Sequence, residues 1–193
     1  MRTFITVSHT APSSGSWALD DLAGGAGRID VVCRNIQAAM FTSHGIRRDA
    51  RFVAVFAADA DKPRAVRIDG GAVRHLQSDE RSTAARLRSA LQKAGPDAWW
   101  EEVEPGVHVA PFDLAAVLAD AVAAGGTPVL LHKDGDSVLA ASWPPRPVFL
   151  MGDHLPLTDA ELATAPAAMR ISLGDTWLHG NHVIAVVQWL LDR

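Results

Sequence analysis

Residues 147–154 read Pro-Val-Phe-Leu-Met-Gly-Asp-His, an unbroken apolar run that ends in a glycine and two polar residues. Such a run, bounded by turn residues and too short for a helix, reads as a strand buried on both faces. The same grammar occurs on either side. Pro128–His132 (PVLLH) leads into Lys133-Asp134-Gly135, and Met169–Leu173 (MRISL) leads into Gly174-Asp175-Thr176. Further upstream, Thr3–Val7 (TFITV), Arg51–Ala58 (RFVAVFAA), Ala65–Ile68 (AVRI) and Val107–Val109 read as strands.

Between these runs the apolar period changes from continuous to helical. Ile29, Val32, Cys33, Ile36 and Met40 share a face of a helix predicted over residues 29–41, with Gly45 as its stop. Ser78 or Asp79 caps a helix running to Lys93, which Gly95 and Pro96 end. Pro111 and Asp113 open another, striped by Leu114, Val117, Leu118, Ala121 and Val122 and stopped by Gly125-Gly126. A short acidic helix is expected near Thr158–Thr164. A last helix carries Val183, Ile184, Val186, Val187, Leu190 and Leu191. Residues 11–27 read as a loop, and 96–106 as an irregular surface excursion. Buried strands alternating with amphipathic helices predict an α/β protein with a mostly parallel sheet flanked by helices. With 193 residues, a single domain over 1–193 is expected.

Composition narrows the function classes. The chain is 48% hydrophobic and 21% charged, with one cysteine, Cys33. A lone cysteine suits a reducing, cytoplasmic setting. No stretch approaches the roughly 20 apolar residues that span a bilayer, and no secretory signal is expected. The net charge of −4 argues against a coat of basic residues. Residues 28–51, however, hold Arg28, Arg34, Arg47, Arg48 and Arg51 against Asp30 and Asp49, a local +3 that leaves −7 on the remainder. Such a cluster on an acidic body suits a small, specific phosphate site, or else a set of solvated ion pairs.

Because ligands collect at the carboxyl ends of parallel strands, the turns after residues 131, 151 and 172 are the candidate site. Each holds a glycine that permits close backbone approach. Gly24-Gly25-Ala26-Gly27 is neither a phosphate loop nor a dinucleotide fingerprint, and no Gly-x-Ser-x-Gly elbow occurs. His179 and His182, with His132 or His154, are the one set from which a zinc site could be built. Without a cysteine pair or a His-Glu-x-x-His, no metal is expected. Cys33 sits on an apolar stripe and reads as a core thiol.

Several ordered segments resemble one family. Gly27-Arg28-Ile29-Asp30-Val31-Val32-Cys33-Arg34, Ser43-His44-Gly45-Ile46-Arg47-Arg48-Asp49 and Ser78-Asp79-Glu80-Arg81 come first. Pro105-Gly106-Val107, Leu131-His132, Pro147-Val148-Phe149 with Gly152-Asp153-His154, Arg170-Ile171-Ser172-Leu173 and Leu178-His179-Gly180-Asn181-His182 follow. Together, from about residue 27 to the C-terminus, they are similar to the archaeal tRNA pseudouridine-54 N1-methyltransferases, TrmY.

The resemblance implies a SPOUT fold with a C-terminal deep trefoil knot, its knotted, cofactor-binding part over about 128–193. It also implies a homodimer, S-adenosyl-L-methionine as cofactor, and RNA, tRNA by analogy, as the methylated partner. By position, the cofactor would meet Leu131, Gly152, Ser172, Leu173, Gly174, Asp175, Thr176, Trp177 and Val183. Asp30, as base or orienting group, and Arg28 are the catalytic candidates; Arg34, Arg47, Arg48 and Arg51 are those for RNA phosphates. Gly174–Trp177 and Val183 depart from the archaeal pattern, and residues 1–26 match it poorly, as expected of a bacterial relative. Two other readings remain: a non-catalytic RNA-binding or assembly factor of the same fold, and a metal hydrolase using His132, His154, His179 and His182.

Overall fold

Strand β1 (Arg2–Ser8) is buried from Thr3 onward, because it has a parallel neighbour on each side. In the computed structural model, which describes residues 1–96, 99–165 and 169–193, β1 is followed by helix α1 (Ile29–Met40) and the small hairpin β2 (Phe41–Thr42) and β3 (Gly45–Ile46). The chain continues through β4 (Ala50–Phe56), β5 (Arg64–Asp69), α2 (Glu80–Lys93), β6 (Glu101–Glu104), β7 (Val107–Ala110) and α3 (Leu114–Ala123). The last third comprises β8 (Thr127–Ser137), β9 (Pro147–Gly152), α4 (Asp159–Ala163), β10 (Met169–Ser172) and α5 (Gly180–Leu191).

The main sheet has the order β10-β8-β9-β1-β4-β5-β7-β6. The five strands from β10 to β4 are mutually parallel, and β5, β7 and β6 extend the sheet antiparallel. Alternation along the strands divides the core. Phe4, Phe52, Phe56 and Phe149 face α1, α2 and α5, with the Phe4 and Phe149 rings stacked 5.0 Å apart. Ile5, Val7, Val53, Val55 and Leu150 face α3, where Leu114, Val117 and Leu118 cover them. The result is a mostly parallel sheet with helices on both faces.

Three local expectations need correction. Gly45 does not stop α1. The helix ends at Met40, Phe41 turns extended, and Gly45 pairs with Thr42 in the hairpin. Pro111 lies ahead of α3, whose cap is Asp113, its carboxylate accepting from the Ala116 N–H at 2.8 Å. The 96–106 excursion contains β6, whose Glu-Glu-Val-Glu sequence suits an edge strand that must not recruit another chain. Residues 97 and 98 of that excursion lie outside the described residues.

The first loop is held down by α2. Arg81, Arg88 and Gln92 donate to the carbonyls of Leu19, Trp17 and Gly15, and Trp17 stacks on Phe56 at 6.0 Å. Helix α5 is fastened to α1 and β1. Its Gln188, 2% exposed, donates to the Ala39 carbonyl and accepts from the Arg2 guanidinium, both at 2.7 Å. Replacing Gln188 with Ala removes both bonds and strands a buried carbonyl. Urea unfolding of Gln188→Ala is expected to show a loss of about 2 kcal/mol with an unchanged m-value.

Candidate functional site

The parallel strands β8, β9 and β10 lie side by side, so their carboxyl ends open at one edge of the sheet. There they enclose a cavity of about 460 Å³. Its apolar wall includes Leu130, Leu131, Met151, Leu157, Ile171 and Val183. A volume in this range suits a small organic ligand or cofactor.

Each strand end has a physical reason for its sequence. Between Arg170 and Ile171 the register of β10 on β8 jumps from Leu130 to Asp136, so residues 131–135 bulge from the ladder. Gly135 makes this possible: a Cβ there would lie 2.5 Å from the Ile171 nitrogen. After β9 the chain folds back on itself, and a Cβ on Gly152 would lie 2.2 Å from the Leu155 carbonyl oxygen. After β10, Ser172 Oγ accepts from the Gly174 N–H at 3.1 Å, and Gly174 takes a φ of +108° that disfavours a side chain.

Of the residues expected to meet a cofactor, Leu131, Gly152, Ser172, Leu173, Gly174, Thr176, Trp177 and Val183 line this one cavity. Asp175 sits in the same loop, exposed, and is not part of the wall.

The opposite wall comes from α1. Gly27 and Arg28 both adopt left-handed backbone, φ +61° and +60°. Gly27 is pressed against residue 10, where a Cβ would lie 2.2 Å from the Thr10 carbonyl oxygen, and Thr10 Oγ1 donates to the Gly27 carbonyl at 2.7 Å. For Arg28 the left-handed conformation costs roughly 1 kcal/mol or more. It aims the side chain at the cavity, where Arg28, Val31 and Arg34 form the wall. Strain held at one arginine facing a pocket is the pattern of a functional residue.

Asp30 does not line the cavity but organises the residues that do. Nearly buried, it accepts from Arg28 Nε at 3.0 Å and from Arg34 Nη2 at 2.7 Å, and Arg34 also reaches Glu80 at 3.3 Å. Burial alone would raise the Asp30 pKa; the bonds from Arg28 and Arg34 outweigh it and hold the carboxyl below its usual range. Arg47, Arg48 and Arg51 lie away from the cavity. Arg47 pairs with Asp192 at 2.7 Å, Arg48 donates to the carbonyls of Gly70 and Val73, and Arg51 pairs with Asp69.

His132, His154 and His179 reach the cavity wall, whereas His182 stacks edge-on against His179 with ring centroids 5.6 Å apart. Among the described residues, no three His, Cys, Asp or Glu side chains converge to hold a metal ion. Cys33 is fully buried, and burial pushes its thiol far up, as expected of a core residue.

Sequence reasoning missed His9. It follows β1 and bonds Asp153 Oδ1 through Nδ1 and Glu161 Oε2 through Nε2, each at 3.0 Å, while its own N–H donates to Asp153 Oδ2 at 3.0 Å. A single histidine in a Ser/Pro-rich loop, with partners more than 140 positions away, carries no periodic or motif signal.

Asp30→Asn tests the arginine clamp. It is expected to cost about 1–3 kcal/mol at neutral pH, because Arg28 and Arg34 lose the carboxylate that both hydrogen-bond. A carboxylate with a depressed pKa stabilises the fold above its unfolded pKa and ceases to do so as pH falls through the folded one. Acid unfolding should therefore be shallower in the variant than in the wild type.

With this geometry in view, comparison with known proteins places the chain. A family model described as "Putative SAM-dependent RNA methyltransferase" matches residues 1–193, so residues 1–26, which carry no motif of the resemblance, fall inside the match. The tRNA (pseudouridine(54)-N(1))-methyltransferase of Haloferax volcanii is 42% identical over 196 residues, covering 100% of this chain and 96% of that protein. The protein of the same name from Methanocella arvoryzae is 35% identical, covering 100% of both. Among solved structures, Archaeoglobus fulgidus Nep1 bound to S-adenosylhomocysteine shares the fold, with a TM-score of 0.64 at 11% identity over 97% of this chain and 94% of that one. The match along its whole length shows that the chain belongs to the family of SAM-dependent RNA methyltransferases that includes the archaeal tRNA pseudouridine-54 N1-methyltransferases.

Proposed function

We propose that the protein transfers a methyl group from S-adenosyl-L-methionine to N1 of a pseudouridine in RNA, with the T-loop of tRNA as the target class by analogy with its relatives. The observation that carries this reading is the convergence of three strand-end loops and the Arg28–Asp30–Arg34 clamp on one cavity.

The residues present fit the cofactor. Apolar Leu131, Met151 and Val183 in the wall suit an adenine, and Gly174, with open space where a Cβ would stand, leaves backbone free for a methionine-like chain, while Gly152 lets the loop after β9 fold back on itself. When bound, the cofactor supplies a methyl group already activated on a sulfonium, so no metal is needed. The protein's task is to align the nucleophile in line and exclude water.

N1 of pseudouridine carries a proton, which passes to solvent water as the base is seated; its loss spreads negative charge onto the C2 and C4 carbonyl oxygens. The Arg28 guanidinium, held at the cavity wall, is placed to stabilise that charge. Asp30, kept ionised by two arginines and set back from the wall, serves better as the group that orients Arg28 than as a strong base. Arg34 joins Arg28 and Lys133 in a basic rim that suits an RNA phosphate. Arg47, Arg48 and Arg51 would contact RNA only by exchanging their present partners.

With the family reading goes a trefoil knot over about 128–193, the part of the chain that builds the cavity's three strand ends. The outer face of α5 exposes Val186 and Trp189, an apolar surface suited to a homodimer interface. Among the described residues no helix is long and apolar enough to cross a membrane. The lone, buried thiol of Cys33 suits the reducing, cytoplasmic setting that goes with this reading.

Two measurements test the proposal. Calorimetry with S-adenosylhomocysteine should show binding that Gly152→Trp abolishes and Asp30→Ala preserves. Transfer of labelled methyl to pseudouridine-54-containing tRNA should then fall by about 100-fold or more in Asp30→Ala. Cofactor binding without methyl transfer to any cellular RNA would instead favour the assembly-factor reading, and absence of binding by the wild type would overturn both.

A further inference from the structure

The loop after β9 supplies Gly152, His154, Leu155 and Leu157 to the cavity, and α4 supplies Leu162. What keeps this segment in place is not obvious from packing. Helix α4 has five residues and buries none of them; among the described residues, Leu157 and Leu162 lean on the core, partly covered, and just past the helix the small Ala165 is buried. A helix this short does not persist by its own backbone bonds. Its capping box, in which Thr158 and Glu161 satisfy each other's backbone, fixes its first turn but does not tie it to the sheet.

The tie is His9. Its ring lies between Asp153, whose side chain is fully enclosed, and Glu161, and so joins the end of central strand β1 to both ends of the loop. Asp153 is saturated: Oδ1 also accepts from the Leu155 N–H at 3.0 Å, and Oδ2 lies 3.3 Å from His154 Nδ1.

We infer that His9 is a positioning residue for the cofactor: a two-handed imidazolium clamp that holds the 152–162 loop in its binding shape. This rests on the cofactor reading of the cavity. Two carboxylates facing the two ring nitrogens require two N–H donors, and only the protonated imidazole has both. A neutral ring would satisfy one carboxylate and set a lone pair against the other.

The charged and titratable groups around the ring agree with this assignment. Asp153 from the β9 turn and Glu161 from α4 face it directly, with His154 beside Asp153 and Arg28, ahead of α1, within coulombic reach of Asp153. The hydrogen bond to Asp153, opposed by burial and reinforced by Glu161, raises His9 from 6.5 to about 9. In the folded protein the clamp thus stays charged through neutrality; its stabilising contribution is full below 6.5 and is lost as pH rises through about 9.

The experiment is calorimetric titration of S-adenosylhomocysteine into wild type, His9→Ala and His9→Asn, from about pH 6.5 to about pH 10, the range in which this histidine changes charge. Wild-type affinity should hold near neutrality and weaken through about pH 9. His9→Ala should bind about tenfold more weakly at neutral pH, with a flat profile. His9→Asn, able to engage one carboxylate, should fall between. In methyl transfer, the KM for the methyl donor should rise while kcat at saturation stays near the wild-type value, since Arg28 keeps both hydrogen bonds to Asp30. Folded variants with wild-type affinity, or a wild-type profile that matches that of His9→Ala, would overturn the clamp. Failure of the wild type itself to bind at any pH would overturn the cofactor reading, and the clamp with it.

Discussion

The contact on which the site depends is the seating of α5 against α1. Gly180, the first residue of α5, lies where any side chain would collide with the amide of buried Asn35, at 2.9 Å from a built Cβ. Asn35 in turn donates to Thr6 Oγ1 on β1 at 3.2 Å. A turn of helix further on, Ile184 and Val187 enter the core, and Gln188 closes the far end onto Ala39 and Arg2. This close approach has a direct consequence. The 173–179 loop, which precedes α5, is brought against the start of α1, which carries Arg28, Asp30 and Arg34. The cavity exists because two parts of the chain about 150 residues apart are locked together by a missing side chain and two buried amides.

Energetically the site divides into a rigid wall and a tethered one. The rigid wall is α1, buried along most of its length, with Asp30 as an internal counter-ion for two arginines. Left-handed backbone at Arg28 raises the cost of that wall locally, and the surrounding packing of Gly27 on Thr10 enforces it. The tethered wall is the β9 turn and α4, which contribute little to the core and depend on polar links to β1. Such a division suits the proposed function, in which Arg28 stays fixed while a cofactor is admitted and released.

How much of this was legible in the sequence follows from which interactions are local. Parallel strands buried on both faces announce themselves as apolar runs, so β1, β4, β8 and β9 were visible, as was the stripe of α1. The three strand-end turns were visible for the same reason, and their convergence followed from parallel topology. The antiparallel extension was less legible. β6 is almost entirely glutamate, because an edge strand is written for solvent and not for a core. The polar second half of β8 reads as a turn, yet it continues the ladder beyond its bulge. Asp30 was found by motif, but its setting was not. Only the fold shows that it stands behind the cavity wall with its charge committed to two arginines. His9 left no trace, since its meaning lies entirely in Asp153 and Glu161.

The central claim is that the three strand-end loops form the cofactor site, and co-crystallisation with S-adenosylhomocysteine tests it most directly. The fold predicts ligand density in the cavity bounded by Leu131, Gly152 and Ser172–Trp177. Density elsewhere on the molecule, or a cavity left empty at saturating ligand, would contradict it.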